Sequence, residues 1–170
     1  MANEEHLALL KKGSDSWNQW REENPDVKPD FIKADLRGTK LQKANLSNSN
    51  LEEVKFQFSN LSGAVFSGAN LKKAKFQDVN LSNVKLDNAD LQQTNFFEAN
   101  LQHADMENSN LQGAQFNEDT TLFQTNFKGA NLIEASGLME NQIRDCLVNK
   151  ETKLPDYLDE ETDDDFLLQM

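Results

Sequence analysis

The chain has 170 residues, 37% of them hydrophobic, with a formal net charge of −12 and a mean hydropathy of −0.74. That length suits one domain with a modest core, and the polarity approaches that of disordered chains, so folding must rest on regular spacing of the apolar residues. A single cysteine, Cys146, excludes an internal disulfide framework, and together with only two histidines it leaves no Cys/His metal spacing.

Residues 3–24 read as helical. Leu7 and Leu10 mark one apolar face, and Gly13 is placed to end that segment. Ser14 or Asp15 is placed to cap a second short helix carrying Trp17 and Trp20, which Pro25 stops.

From Phe31 to Phe116 every fifth residue is Leu, Phe or Met, eighteen positions in succession. One residue is inserted within 117–121, and the register resumes at Leu122, Phe127 and Leu132. Two residues before each centre, from Ala34 onward, stands Ala, Ser, Thr or Val. A period of five fits neither the 3.6 of a helix nor the 2 of a strand. A helix would spread the apolar residues over all faces and put many Asn and Ser in its interior, where they compete for backbone hydrogen bonds.

A square coil accounts for the pattern. Each five-residue unit forms one side, the large centre and the small residue two before it point inward, and the other three point outward. Coils then pair with those above and below at about 4.8 Å. The 20-residue period predicts four interior columns. The first is Phe56, Phe76, Phe96 and Phe116; the second is Leu61, Leu81, Leu101 and Leu122. The third is Leu51, Leu71, Leu91, Leu111 and Leu132; the fourth, opposite the Phe column, is Leu46, Phe66, Leu86, Met106 and Phe127. The polar insertion must bulge outward to preserve the stack.

After the coil, Met139, Ile143, Cys146 and Leu147 recur at helical spacing and are expected to bury one face against the last coil. Residues 159–165 then hold six acids in seven positions and lead into Phe166, Leu167 and Leu168.

The A-(D/N)-L-x-x units, such as Ala69-Asn70-Leu71 and Ala89-Asp90-Leu91, resemble the pentapeptide-repeat family over roughly 31–135. The string Trp17-Asn18-Gln19-Trp20-Arg21 with Asn24-Pro25 resembles the helical N-terminal lid of its cyanobacterial-type members. Gly137-Leu138, Gln142-Ile143 and Thr152-Lys153-Leu154-Pro155 resemble their C-terminal cap. The resemblance implies an all-β solenoid, a right-handed quadrilateral β-helix of about five coils and about 25 Å, with short α-helical caps at both ends. The expected division is an N-terminal helical cap at 1–30, the β-helix at 31–135, a C-terminal helical cap at 136–158 and an acidic tail at 159–170.

No catalytic residue, metal ligand or cofactor is implied. His103 lies two after Leu101 and points outward, with no positioned partner for nucleophilic or acid–base work. Cys146, on an apolar face, reads as a small buried hydrophobe, with an exposed, dimer-forming thiol as the alternative. Asp35, Asp90 and Asp105 precede centres and read as solvated or turn-capping groups. The outward hydrophobes Phe58, Val65, Phe97 and Phe123 break a polar exterior and are the candidate partner contacts, together with Phe166, Leu167 and Leu168 of the tail.

Residues 31–132 carry 10 basic and 11 acidic groups, and residues 133–170 carry 3 and 11. No basic stripe tracks phosphates, so nucleic acid is not an expected partner. No apolar run approaches the roughly 20 residues that span a bilayer, so no membrane is expected either. The N-terminus lacks a basic region followed by an apolar run, and the expected location is the cytoplasm. The expected function is a non-enzymatic protein–protein interaction scaffold, compatible with a regulatory role, with an unidentified protein partner, existing as a monomer or weak homodimer. Some family members look like duplex DNA and bind DNA gyrase. That alternative needs an acidic coil, whereas Lys40, Lys55, Lys75 and Lys85 occupy the position Asp often fills.

Overall fold

The structure, a computed structural model, describes residues 1–159. Phe166, Leu167 and Leu168, named above as candidate contacts, lie outside the described residues.

The repeat folds through one local device. After each centre the chain turns, and the second residue beyond the centre takes a left-handed backbone, as at Lys33 (φ 60°), Asn48 (φ 55°) and Gly63 (φ 66°). The turn closes by a hydrogen bond from the residue three beyond the centre, for example Ala34 N to Phe31 O at 2.9 Å. The strained residue donates its own N–H to the next coil, as Lys33 N does to Glu52 O at 2.8 Å. That bond helps offset the left-handed cost of about 1–2 kcal/mol at non-glycine corners.

The residue before each centre pairs in parallel with its counterpart 20 positions on, from Asp30 with Asn50 to Asn95 with Gln115. Beyond the insertion the step is 21, as in Asn100 with Thr121. Glu118 and Asp119 are exposed while Thr120 is buried, so the extra residue is accommodated outside the stack.

The interior holds the centres and the small residues. The four rings of the Phe column are parallel: Phe56–Phe76, Phe76–Phe96 and Phe96–Phe116 have centroids 5.4, 5.5 and 5.3 Å apart. Phe66 reaches across from the opposite side, edge-on to Phe56 at 6.0 Å and to Phe76 at 6.3 Å. Hydroxyls at the small positions donate to backbone carbonyls, either of the preceding coil, as Ser59 Oγ does to Leu36 O (2.9 Å) and Thr94 Oγ1 to Leu71 O (3.0 Å), or of their own turn, as Ser109 Oγ does to Met106 O (2.6 Å). This is why Ser and Thr can alternate with Ala in a buried column.

Two helices precede the coil: α1 at Glu4–Leu10 and α2 at Ser14–Glu23. Neither Ser14 nor Asp15 is the N-cap of α2. Gly13 holds that position without a side-chain bond, at φ 113°, a conformation other residues rarely adopt, and Ser14 falls inside the first turn. The side chains of α2 meet the open edge of the first coil. Asn18 accepts from Asn45 N (2.8 Å) and donates to Lys43 O (3.0 Å), Trp17 Nε1 donates to Asn45 O (2.7 Å), and Arg21 donates to Val27 O and Ser47 O. They therefore occupy ladder groups that another coil would otherwise pair.

The segment after 135 departs from the expected single helical face. Helix α3 covers only Glu140–Arg144; Ile143 and Cys146 are buried, whereas Met139 and Leu147 are exposed. Leu147 pairs with Asn126 and Lys153 with Asn131. Cys146-Leu147-Val148 and Thr152-Lys153-Leu154 thus take the inward-small, ladder and centre roles of two further repeat sides. Coil pairing outcompetes a longer helix because the exposed carbonyls and N–H groups of the preceding coil need partners. Gly137 lies against the backbone of Phe116, and a Cβ there would collide with Phe116 O. Helix α4, Asp156–Asp159, follows, with Leu158 buried.

Candidate protein-interaction surface

Each outward hydrophobe can be assigned to a side of the coil by its ladder register. Phe58 and Phe97 belong to units centred on Phe56 and Phe96, so both lie on the side of the Phe column. Phe123 follows Leu122 on the adjacent side. Val65 precedes Phe66 on the opposite side, where it pairs with Asn45 and Lys85 and is half-buried. The four residues therefore do not form one patch. Phe58 and Phe97 share a face, Phe123 flanks it, and Val65 is separated from them by the width of the coil.

Phe58 is the most exposed of them, at 69%. Its φ is 63°, a left-handed corner usually given to Gly or Asn. A bulky ring that accepts both a strained backbone and water is the strongest local departure from what folding alone favours. Phe97 is 38% exposed and takes its place through its N–H, which donates to Asn95 Oδ1 at 2.9 Å. Phe123 is 49% exposed, and its ring meets His103 edge-on at 5.7 Å. His103 is exposed, as its outward position requires, and Phe123 is its aromatic neighbour.

Acids border this face. Glu98 occupies the corner after Phe97, and Asp78, through charge repulsion and a side-chain hydrogen bond, pushes its carboxyl above the usual range, with Asp119 adding to it. Phe58, Asp78 and Glu98 hold the same corner position in successive coils. The face therefore joins exposed aromatic rings to a column of carboxylates.

Sequence reasoning passed over other exposed apolar side chains near the C-terminal end: Ile133, Met139, Leu147 and Tyr157. Ile133 follows its centre just as Phe97 does, so the outward-position rule already contained it. Leu147 and Met139 were hidden by the helical spacing assigned to them. His6 also does more than sit on the surface: its Nδ1 accepts from Asp30 N at 3.2 Å, and its ring packs on Trp20 at 5.1 Å. Burial pulls its pKa down.

Cys146 is buried, and desolvation raises its thiol to about 12, so it is not a reactive nucleophile at neutral pH. Asp35 is held at about 2 by the guanidinium of Arg37, which donates to both carboxylate oxygens at 2.8 and 2.6 Å. Among the described residues no group of three or more His, Cys, Asp or Glu side chains could hold a metal ion, and no helix is long and apolar enough to cross a membrane.

The model of the family described as pentapeptide repeats matches in eight copies, over residues 30–68, 49–86 and 74–113. The crystal structure of a pentapeptide repeat protein from the thylakoid lumen of Arabidopsis thaliana is 33% identical, covers 63% of this chain and 73% of its own, and superposes with a TM-score of 0.61. The chain belongs to the pentapeptide-repeat family. Pentapeptide-repeat proteins form right-handed quadrilateral β-helices, and the four-sided parallel ladder described above is that architecture. Two further solved structures are similar at lower identity. Full-length QnrB1, a plasmid-mediated fluoroquinolone resistance protein, is 20% identical over 77% of this chain and 82% of its own, with a TM-score of 0.40. The pentapeptide-repeat protein Rfr23 from the cyanobacterium Cyanothece 51142 is 21% identical over 81% and 97%, with a TM-score of 0.33. No curated protein sequence matches.

Proposed function

We propose that this pentapeptide-repeat protein is a non-enzymatic scaffold that binds another protein through the face bearing Phe58 and Phe97. The observation that carries the reading is Phe58, an exposed aromatic ring on a strained corner of an otherwise polar exterior. A stacked core supplies a rigid support, so the side chains on each face keep fixed spacings. The carboxylates of Asp78 and Glu98 favour a partner that is apolar at its centre and basic where it meets that corner, with Lys55 and Lys75 on the same side facing another part of its rim.

In this proposal the chain comprises an N-terminal helical cap at 1–30, a β-helix of about five coils at 31–135, a C-terminal cap at 136–158 and an acidic tail at 159–170. The caps keep the coil ends from pairing with other chains, consistent with a monomer or weak homodimer. The cytoplasm is retained as its location; since the Arabidopsis relative is lumenal, fractionation of the source cells is the direct check. Phe166, Leu167 and Leu168 are the alternative contact. A DNA-mimic role is not adopted, because Lys55 and Lys75 hold ladder positions where such a surface needs acids.

The test is capture from the native source lysate with three full-length baits: wild type, Phe58→Ala/Phe97→Ala, and Phe166→Ser/Leu167→Ser/Leu168→Ser. A partner lost only with the first double variant supports the aromatic face. Loss only with the triple variant moves the contact to the tail. A partner kept by both rules out both contacts.

A further inference from the structure

The nearly balanced charge of the coil hides a separation along its length. Residues 31–86 carry 9 basic and 4 acidic groups, whereas residues 87–132 carry 1 and 7. The basic part is concentrated at one corner, where Lys33, Glu53, Lys55, Lys73 and Lys75 line a groove of about 420 Å³. The ladder explains the concentration. Lys55 pairs directly with Lys75 on the side of the Phe column, and Lys33, Glu53 and Lys73 hold successive left-handed corner positions on the adjacent side.

Existing carboxylates neutralise only part of this charge. Glu53 pairs with Lys33 at 3.6 Å, Asp90 with Lys72 at 3.1 Å, and Asp35 with Arg37. Among the described residues Lys55, Lys73 and Lys75 form no ion pair. The ammonium groups of Lys55 and Lys75, a ladder step apart, and of Lys73, two residues before Lys75 on the same coil, repel one another, and an extended chain bearing acids at short intervals would relieve that repulsion.

We propose that the groove is a docking site for an extended acidic peptide, and that its occupant is the chain's own segment 159–165. Charge complementarity is the first argument, since that segment has six acids in seven residues. Reach is the second. Lys153 pairs with Asn131, which leads down the same ladder through Asn110 and Asp90 to Asn70, beside Lys73. Those four steps amount to about 19 Å at 4.8 Å each. Seven extended residues span up to about 23 Å, a length comparable with that drop. The contact would keep the basic corner from outside polyanions. Lys55 and Lys75 share the side of the Phe column with Phe58 and Phe97, but cross-linking reads the lysines and lysate capture reads the rings, so either reading can fail without the other.

Carbodiimide cross-linking of the full chain, which joins a carboxylate to an amine only in direct contact, tests this when read by mass spectrometry. The expected result is cross-links from residues 159–165 to Lys55, Lys73 or Lys75. They should be lost at about 1 M salt, where the Debye length is ~3 Å. The cross-link to Lys55 should also be lost in the full-length Lys73→Gln/Lys75→Gln variant. Cross-links confined to Lys150 and Lys153, or spread equally over Lys40, Lys85 and Lys128 on other sides, overturn the proposal. So does a Lys55 cross-link that survives the double substitution. An equal mixture of ¹⁴N and ¹⁵N chains decides the occupant: isotopically mixed cross-links would place a second copy's segment in the groove and overturn the intramolecular contact.

Discussion

Replacing Phe76 with alanine probes the feature on which the whole coil depends. The Phe76 ring is fully buried, lies 5.4 Å from Phe56 at 8° and 5.5 Å from Phe96 at 5°, and meets the edge of Phe66 at 6.3 Å. Large-to-small substitution of a buried Phe costs about 3–5 kcal/mol, the spread reflecting how far the site can collapse. Collapse is restricted here, because the ladder holds the coils above and below at a fixed spacing. Each aromatic pair also contributes about 0.5–1.5 kcal/mol beyond area burial, and three pairs are lost. The expected loss therefore lies at the upper end of the range. Equilibrium denaturation followed by far-ultraviolet circular dichroism measures it, with Phe58→Ala as the exposed control, expected within about 0.5 kcal/mol of wild type. A loss below about 1 kcal/mol for Phe76→Ala, the scale of an average substitution, would refute the continuous interior column.

Three further outcomes follow from individual residues. Gly137→Ala should destabilise by more than about 1 kcal/mol, because φ is 77° and the added Cβ meets Phe116 O, whereas Gly38→Ala meets nothing within 4 Å and should cost less; thermal melts of the two variants compare them. Asp35 should titrate near 2 by NMR in the wild type and return toward its ordinary 3.8 in Arg37→Ala. Because its folded pKa is depressed, any stability it contributes is present above that ordinary value and lost as the pH falls toward 2. Cys146, buried and raised to about 12, should resist aromatic disulfide reagents at pH 8 in the folded chain and react at once in denaturant; rapid labelling of the native protein would contradict its placement in the core.

The central solenoid was legible because its rule is local and repeated. A large apolar residue every fifth position and a small one two before it leave one arrangement that buries both, so the four columns, the outward insertion and the exposure of Phe58, Phe97 and Phe123 followed from spacing alone. The ends were not legible from the five-residue spacing. Ser14 was an equally good helix cap on paper, but the reversal between α1 and α2 requires the backbone of Gly13. Met139 and Leu147 fit a helical face, yet Leu147 is drawn into the ladder, where its N–H donates to Thr125 O and its carbonyl accepts from Phe127 N. Which outward residues become neighbours was likewise beyond the sequence order. Lys33 and Lys75 are 42 positions apart in the chain but line one groove, while Val65, only seven beyond Phe58, faces the other way. The period by itself determined what points in and what points out. Only the closed coil decided which exposed groups share a side, because that depends on the turn at every corner and on hydrogen bonds between residues a full circuit apart.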